Sequence, residues 1–188
     1  MVREVVWAQF DGLGIEHLRL LDQEGLEAHS TIVGVQDEQP FTLTYVLRCD
    51  LRWHVRSVRA ECRAANRLTT LDLESDGEGR WQSGGHPVER LDGCLDVDLS
   101  ATPFTNTLPI RRLELEPGAS AEIAAVYIEV PALTAEPMRQ RYTRLAAASG
   151  TDVYRYESPG SGFRADLRVD ADGLVVDYPN LWRRIVPR

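Results

Sequence analysis

Between Phe163 and Tyr178 the chain reads FRADLRVDADGLVVDY, and this stretch decides the fold. Phe163, Ala165, Leu167 and Val169 occupy alternate positions, with Arg164, Asp166, Arg168 and Asp170 between them. A period of two marks a half-buried strand, because successive side chains on a strand point to opposite faces. Ala171-Asp172-Gly173 then interrupts with turn residues, and Leu174-Val175-Val176-Asp177-Tyr178 returns as β-formers. Asp-Gly between two such runs predicts a hairpin.

Working outward, the same logic recurs. Met1 to Trp7, Phe41 to Arg48 and Ala121 to Val130 are rich in β-branched and aromatic residues. Ile15 to Leu21, Leu68 to Leu73 and Tyr154 to Glu157 are shorter strand candidates. Leu51 to Cys62 alternates less cleanly, with Trp53 and Val55 on one face and Arg52, His54 and Arg56 on the other. Turn clusters separate these runs, among them Asp76-Gly77-Glu78-Gly79, Ser83-Gly84-Gly85 and Glu116-Pro117-Gly118. Met138 to Ala148 fits either a helix, through Met138, Tyr142 and Leu145, or a strand. With no linker or repeat to divide residues 1–188, the expectation is one domain, mostly β, built as an antiparallel barrel-like or strongly curved sheet.

Composition narrows the function. The chain has 188 residues, 43% hydrophobic and 27% charged, with no uncharged apolar run long enough to span a bilayer. Its formal net charge is -8, and all 21 cations are arginine. Such an acidic chain repels phosphate backbones, so nucleic acid is not an expected partner. Cys49, Cys62 and Cys94 form an odd set without CxxC, which suits a reducing compartment. The first residues enter a strand pattern directly, without the basic and apolar regions of a signal peptide, so the expected location is cytoplasmic. His17, His29, His54 and His86 are scattered and show no zinc spacing, and no cofactor or metal is expected.

The stretch LDGCLDVDLSATPFTNTLPIRRLEL, from Leu91 to Leu115, carries most of the candidate chemistry. Read as a strand, its first part puts Leu95, Val97 and Leu99 on one face and Cys94, Asp96 and Asp98 on the other. The two carboxylates either sit on a solvated face or are neutralised by Arg111 or Arg112 at the mouth of a pocket. Thr102 to Pro109 holds two prolines, three threonines and an asparagine around Phe104. That composition fits a rigid loop satisfying its own backbone. It equally fits a polar rim for ligand hydroxyls, with Phe104 as an apolar lip.

These residues also carry a resemblance. DGCLDVDLSATPFTNTLPIRRL resembles the bacterial family labelled "putative glycolipid-binding", as do CDLRWHVRSV (49–58), QRYTRL (140–145), YRYES (154–158) and GFRADLRVDADGLVVDYPNLWRR (162–184). The resemblance implies a barrel-like sheet similar to the lipoprotein carriers of bacterial envelopes, and a small amphiphilic ligand such as a glycolipid. It brings no catalytic residues, and a shared fold does not by itself establish a function.

Two functional readings follow. In the first, a β-barrel-like cavity binds a glycolipid or similar amphiphile, with Trp53, Arg56, Asp96, Asp98, Phe104, Asn106, Arg112, Tyr142 and Tyr156 as candidate ligand-binding residues. In the alternative, an enzyme acts on a sugar- or lipid-like substrate, with Asp96 or Asp98 as general acid/base and Arg112 stabilising negative charge.

Overall fold

Alternation becomes strand after strand in the computed structural model, which describes residues 2–22, 25–145 and 151–186. Eight strands come from the first half: β1 (Val2–Gln9), β2 (Ile15–Asp22), β3 (Leu26–Gln36), β4 (Gln39–Cys49), β5 (Val55–Ala64), β6 (Arg67–Ser75), β7 (Trp81–Ser83) and β8 (His86–Pro87). Seven follow: β9 (Asp96–Leu99), β10 (Ser120–Glu129), β11 (Thr134–Leu145), β12 (Asp152–Ser158), β13 (Phe163–Val169), β14 (Val175–Tyr178) and β15 (Trp182–Val186). All belong to a single sheet in the order β8-β7-β6-β5-β4-β3-β2-β1-β15-β14-β13-β12-β11-β10-β9. β1 to β8 form one meander and β10 to β15 another, and the two meet where β1 pairs with β15.

Every pairing is antiparallel except that of β9 with β10, where Asp96 to Leu99 lie alongside Ala125 to Ile128. Parallel neighbours cannot be joined by a tight turn and need a long crossover, usually helical. The segment between them supplies it. A 3₁₀ turn over Phe104–Asn106 leads into α1 (Thr107–Leu113), and every residue from Ala101 to Ile110 is buried. The crossover therefore fills the interior that the sheet curves around, with Phe104 and Leu108 fully enclosed beside Leu18, Leu47, Leu99 and Ile128. Stretched between two prolines, this segment lacks an amphipathic repeat, so its helix is not apparent from periodicity.

The sheet does not close by strand pairing. Its two edges are tied instead by Gly93 N–H donating to Gly79 O at 2.8 Å and by the Trp81 indole donating to Cys94 O at 2.8 Å. A Cβ on Gly79 would lie 3.2 Å from Gly93 Cα, and both residues have φ near +90° (89° and 88°), so this approach selects glycine.

Of the two readings of Met138 to Ala148, the structure shows the strand: Met138 lies in β11, which continues to Leu145, and Ala146 to Ala148 fall outside the described residues. Other expectations change. The fifth strand begins at Val55 and not at Leu51. Trp53 has φ +66° in the turn before it, so Trp53 and Val55 do not share a strand face. The Leu26–Gln36 strand was not among the sequence candidates, although its buried positions alternate.

Candidate ligand site

Six of the nine candidate residues converge in the interior. Arg112, at the end of α1, grips Asp96 of β9 with both prongs, Nε to Oδ1 at 3.1 Å and Nη2 to Oδ2 at 2.5 Å. Asp98 accepts from Gln140 Nε2 at 2.6 Å and from Thr105 Oγ1 at 3.3 Å. The Tyr142 hydroxyl donates to Asn106 Oδ1 at 2.9 Å, and the Tyr142 ring meets Tyr156 edge-on with centroids 5.4 Å apart. Burial pushes both aspartates above the usual carboxylate range. Arg112 holds Asp96 back, and Gln140, Thr105 and Tyr156 hold Asp98 back. Each polar group spends its hydrogen bonds on another part of the protein, so the network fastens the crossover to β9, β11 and β12.

The remaining three take no part in this network. Phe104 is fully buried and forms no lip. Arg56 is exposed on the outside of the sheet, 3.8 Å from Asp50. Trp53 stands at one end of the barrel, in a turn organised by Asp50, whose Oδ1 accepts the backbone N–H of Arg52 and His54 at 2.9 and 3.1 Å.

A fully buried acid, absent from the sequence reading, holds the crossover from the opposite wall. Glu16 on β2 accepts from Ser30 Oγ at 2.7 Å and the Tyr45 hydroxyl at 2.9 Å on one oxygen, and from Thr102 Oγ1 at 2.7 Å on the other. With three hydroxyl donors and no cation among them, burial dominates and the carboxyl is raised to about 7. The signal was present: Glu16 shares its strand face with Leu18 and Leu20, both buried.

Since the crossover occupies the interior, the place open to a ligand is the end where Trp53 lies. A hollow of ≈ 310 Å³ has Leu20, Leu26, Leu51, Trp53 and Leu174 among its walls, with Arg3, Asp22, Asp50, Arg111 and Asp172 around them. Trp7, Trp81 and Trp182 are buried in the core, whereas Trp53 is half-buried, with the Arg111 guanidinium 5.2 Å from its ring centroid. The turn between β13 and β14 forms another wall, and Thr107 Oγ1 anchors it by donating to Gly173 O at 3.0 Å. A Cβ at Gly173 would come within 3.0 Å of Arg111 Cδ, so glycine at φ +76° lets this turn pack directly on the arginine stem. Larger hollows of ≈ 640 and ≈ 800 Å³ lie on the outer face. Charged pairs line them, Arg59 with Asp72 in the first and Arg59 with Glu74 in the second, and they lack a leucine wall of this kind.

Among the described residues no three His, Cys, Asp or Glu side chains gather as a metal site, and no helix is long and apolar enough to cross a membrane. Cys49, Cys62 and Cys94 are buried and unpaired, with burial pushing the Cys94 thiol up to about 11.

Known proteins bear on this geometry. The chain is similar to a DUF1089-family protein of Pseudomonas aeruginosa, at 43% identity over 92% of each chain with a TM-score of 0.84. It shares its fold with a beta-barrel-like protein of the domain of unknown function DUF1849 from Brucella abortus, at 9% identity over 97% of this chain and 93% of that one, with a TM-score of 0.52. No curated protein matches it. The family model described as "Putative glycolipid-binding" matches residues 4–184, and the chain belongs to that family.

Proposed function

We propose that this protein binds an amphiphilic small molecule, a glycolipid or a related glycoside, at the barrel end bounded by Trp53, Leu20, Leu26 and Leu174. The half-buried Trp53 carries the reading: the other three tryptophans are buried, whereas Trp53 borders a hollow walled by leucines. An indole face accepts the apolar side of a sugar ring or the first methylenes of a chain, while neighbouring charged groups meet polar atoms. A volume of ≈ 310 Å³ takes a head group or a short chain segment rather than a whole lipid. The three buried free thiols fit work in a reducing compartment, and we place the protein in the cytoplasm on that ground.

The acid–base alternative gains no support from the placement of its residues. Asp96 is 1% exposed and fully engaged by Arg112, and the two oxygens of the partly exposed Asp98 are engaged by Thr105 and Gln140.

Calorimetric titration with octyl glucoside below its micelle concentration tests the binding reading. Saturable binding at one site is expected, weakened about tenfold or more by Trp53→Ala, as loss of an aromatic contact worth over about 1 kcal/mol implies. Equal binding by the variant, or no saturable binding, would reject this site.

A further inference from the structure

Six arginines among the described residues are half-buried: Arg3, Arg111, Arg112, Arg144, Arg155 and Arg184. Five are salt-bridged, Arg3 and Arg184 to Asp170, Arg112 to Asp96, Arg144 to Asp152 and Arg155 to Asp166. Arg111 is the exception. It makes no ion pair or hydrogen bond with the described residues, its Nε is buried without a partner, and its guanidinium lies 5.2 Å from the Trp53 ring centroid, with Tyr154 also within electrostatic reach. Acidic residues outnumber basic ones 29 to 21, so a lone half-buried cation does not reflect a shortage of carboxylates. Removing a guanidinium from water without a partner is costly, and such a group is retained where a partner arrives later.

Its position suggests what that partner is. Arg111 borders two hollows at once. On one side lies the apolar hollow of Trp53, Leu26 and Leu174. On the other lies a smaller one of ≈ 220 Å³ with Arg144 and Tyr154, and the Asp170–Leu174 turn is shared between them. The carboxylates nearby are committed: Asp172 and Asp170 to Arg3, Asp152 to Arg144, and Asp50 to backbone N–H groups. Asp22, itself engaged elsewhere, and Glu114 also line these hollows.

Resting on the amphiphile reading above, we propose that the ligand carries an anionic head group, a carboxylate, phosphate or sulfate ester, which Arg111 binds while the attached apolar part lies against Trp53 and its leucines. A guanidinium makes charge-assisted hydrogen bonds to such oxyanions, and these are stronger than bonds to neutral hydroxyls. A neutral glycoside would leave Arg111 uncompensated.

The test compares octyl phosphate with octyl glucoside, both below their micelle concentrations, by calorimetric titration into the whole protein. Wild type should prefer octyl phosphate by about tenfold, the difference between a charge-assisted and a neutral hydrogen bond. Arg111→Gln should abolish that preference, lowering affinity for octyl phosphate about tenfold more than affinity for octyl glucoside, and Arg111→Lys should retain part of it. Far-UV circular dichroism and thermal melting verify that both variants fold, which the missing ion pair makes the expected result. Equal wild-type affinity for the two probes, or a preference that survives in Arg111→Gln, overturns the anionic assignment and leaves the amphiphile site standing. No binding of either probe overturns both.

Discussion

Glu16 shows what a single buried group does to the whole. An acid whose folded pKa lies above its unfolded value holds its proton more tightly in the fold. Its contribution to stability is therefore fully present below about 4.5 and is lost as pH rises through about 7. That gap corresponds to a penalty on the order of 3 kcal/mol at alkaline pH. We expect the melting temperature to fall between pH 5 and pH 8, and Glu16→Gln, which keeps the shape but cannot ionise, to flatten most of that fall. A scan of melting temperature against pH for the two proteins checks it, and identical slopes would remove Glu16 as the cause. The same residue marks the limit of sequence reading at this scale. Alternation shows that Asp96 and Asp98 share a face and that Tyr142 shares one with Gln140, and the structure brings these groups together. Alternation does not say whether a shared face looks into a cavity or into packed protein. For that reason a plausible binding set became an internal fastening, while Arg111, one position from Arg112, turned out to face the open hollow.

Among the elements, the crossover from Ser100 to Ala119 was the hardest to read and matters most. Its two prolines, three threonines and buried aromatic look like a loop because its helix is short and its residues Thr107 to Ile110 are all buried, leaving too few turns to reveal a period of 3.6. The strands were easier, since one wet face and one dry face impose the alternation directly, as in β13 and β4. The turn at Trp53 escaped because a left-handed residue inside an apparently alternating run leaves no periodic trace, although Asp50, a turn-former ahead of it, hinted at the break. If the crossover is the core of the protein and not a rim, Phe104→Ala should cost about 3–5 kcal/mol, the usual result of truncating an enclosed aromatic. Urea unfolding would report it as a lower midpoint at unchanged slope. A loss below about 1 kcal/mol would mean that Phe104 is replaceable by solvent, as a lip would be.

For the molecule as a whole, a curved β-domain was legible from the spacing of strands and turns, but the strand order was not. No local pattern announces that β1 pairs with β15, or that the crossover lies inside the curve. The seam between β1 and β15 sets Val6 opposite Val186, bridging nearly the full length of the chain, while most other pairings join neighbours in sequence. Contacts between distant residues pay the largest loop-closure entropy and form slowly. Linking β15 to β1 through a short flexible loop and opening the chain at Gly84-Gly85, in the turn between β7 and β8, would turn that distant pairing into a local one. Such a circular permutant should refold faster than the natural order while keeping the same sheet. Stopped-flow refolding of the two would show it, and equal rates would place the slow step in docking the crossover. The order of strands in space and the order of residues in the chain are then separable properties: the sheet specifies which strands lie side by side, and where the chain is cut sets how quickly they assemble.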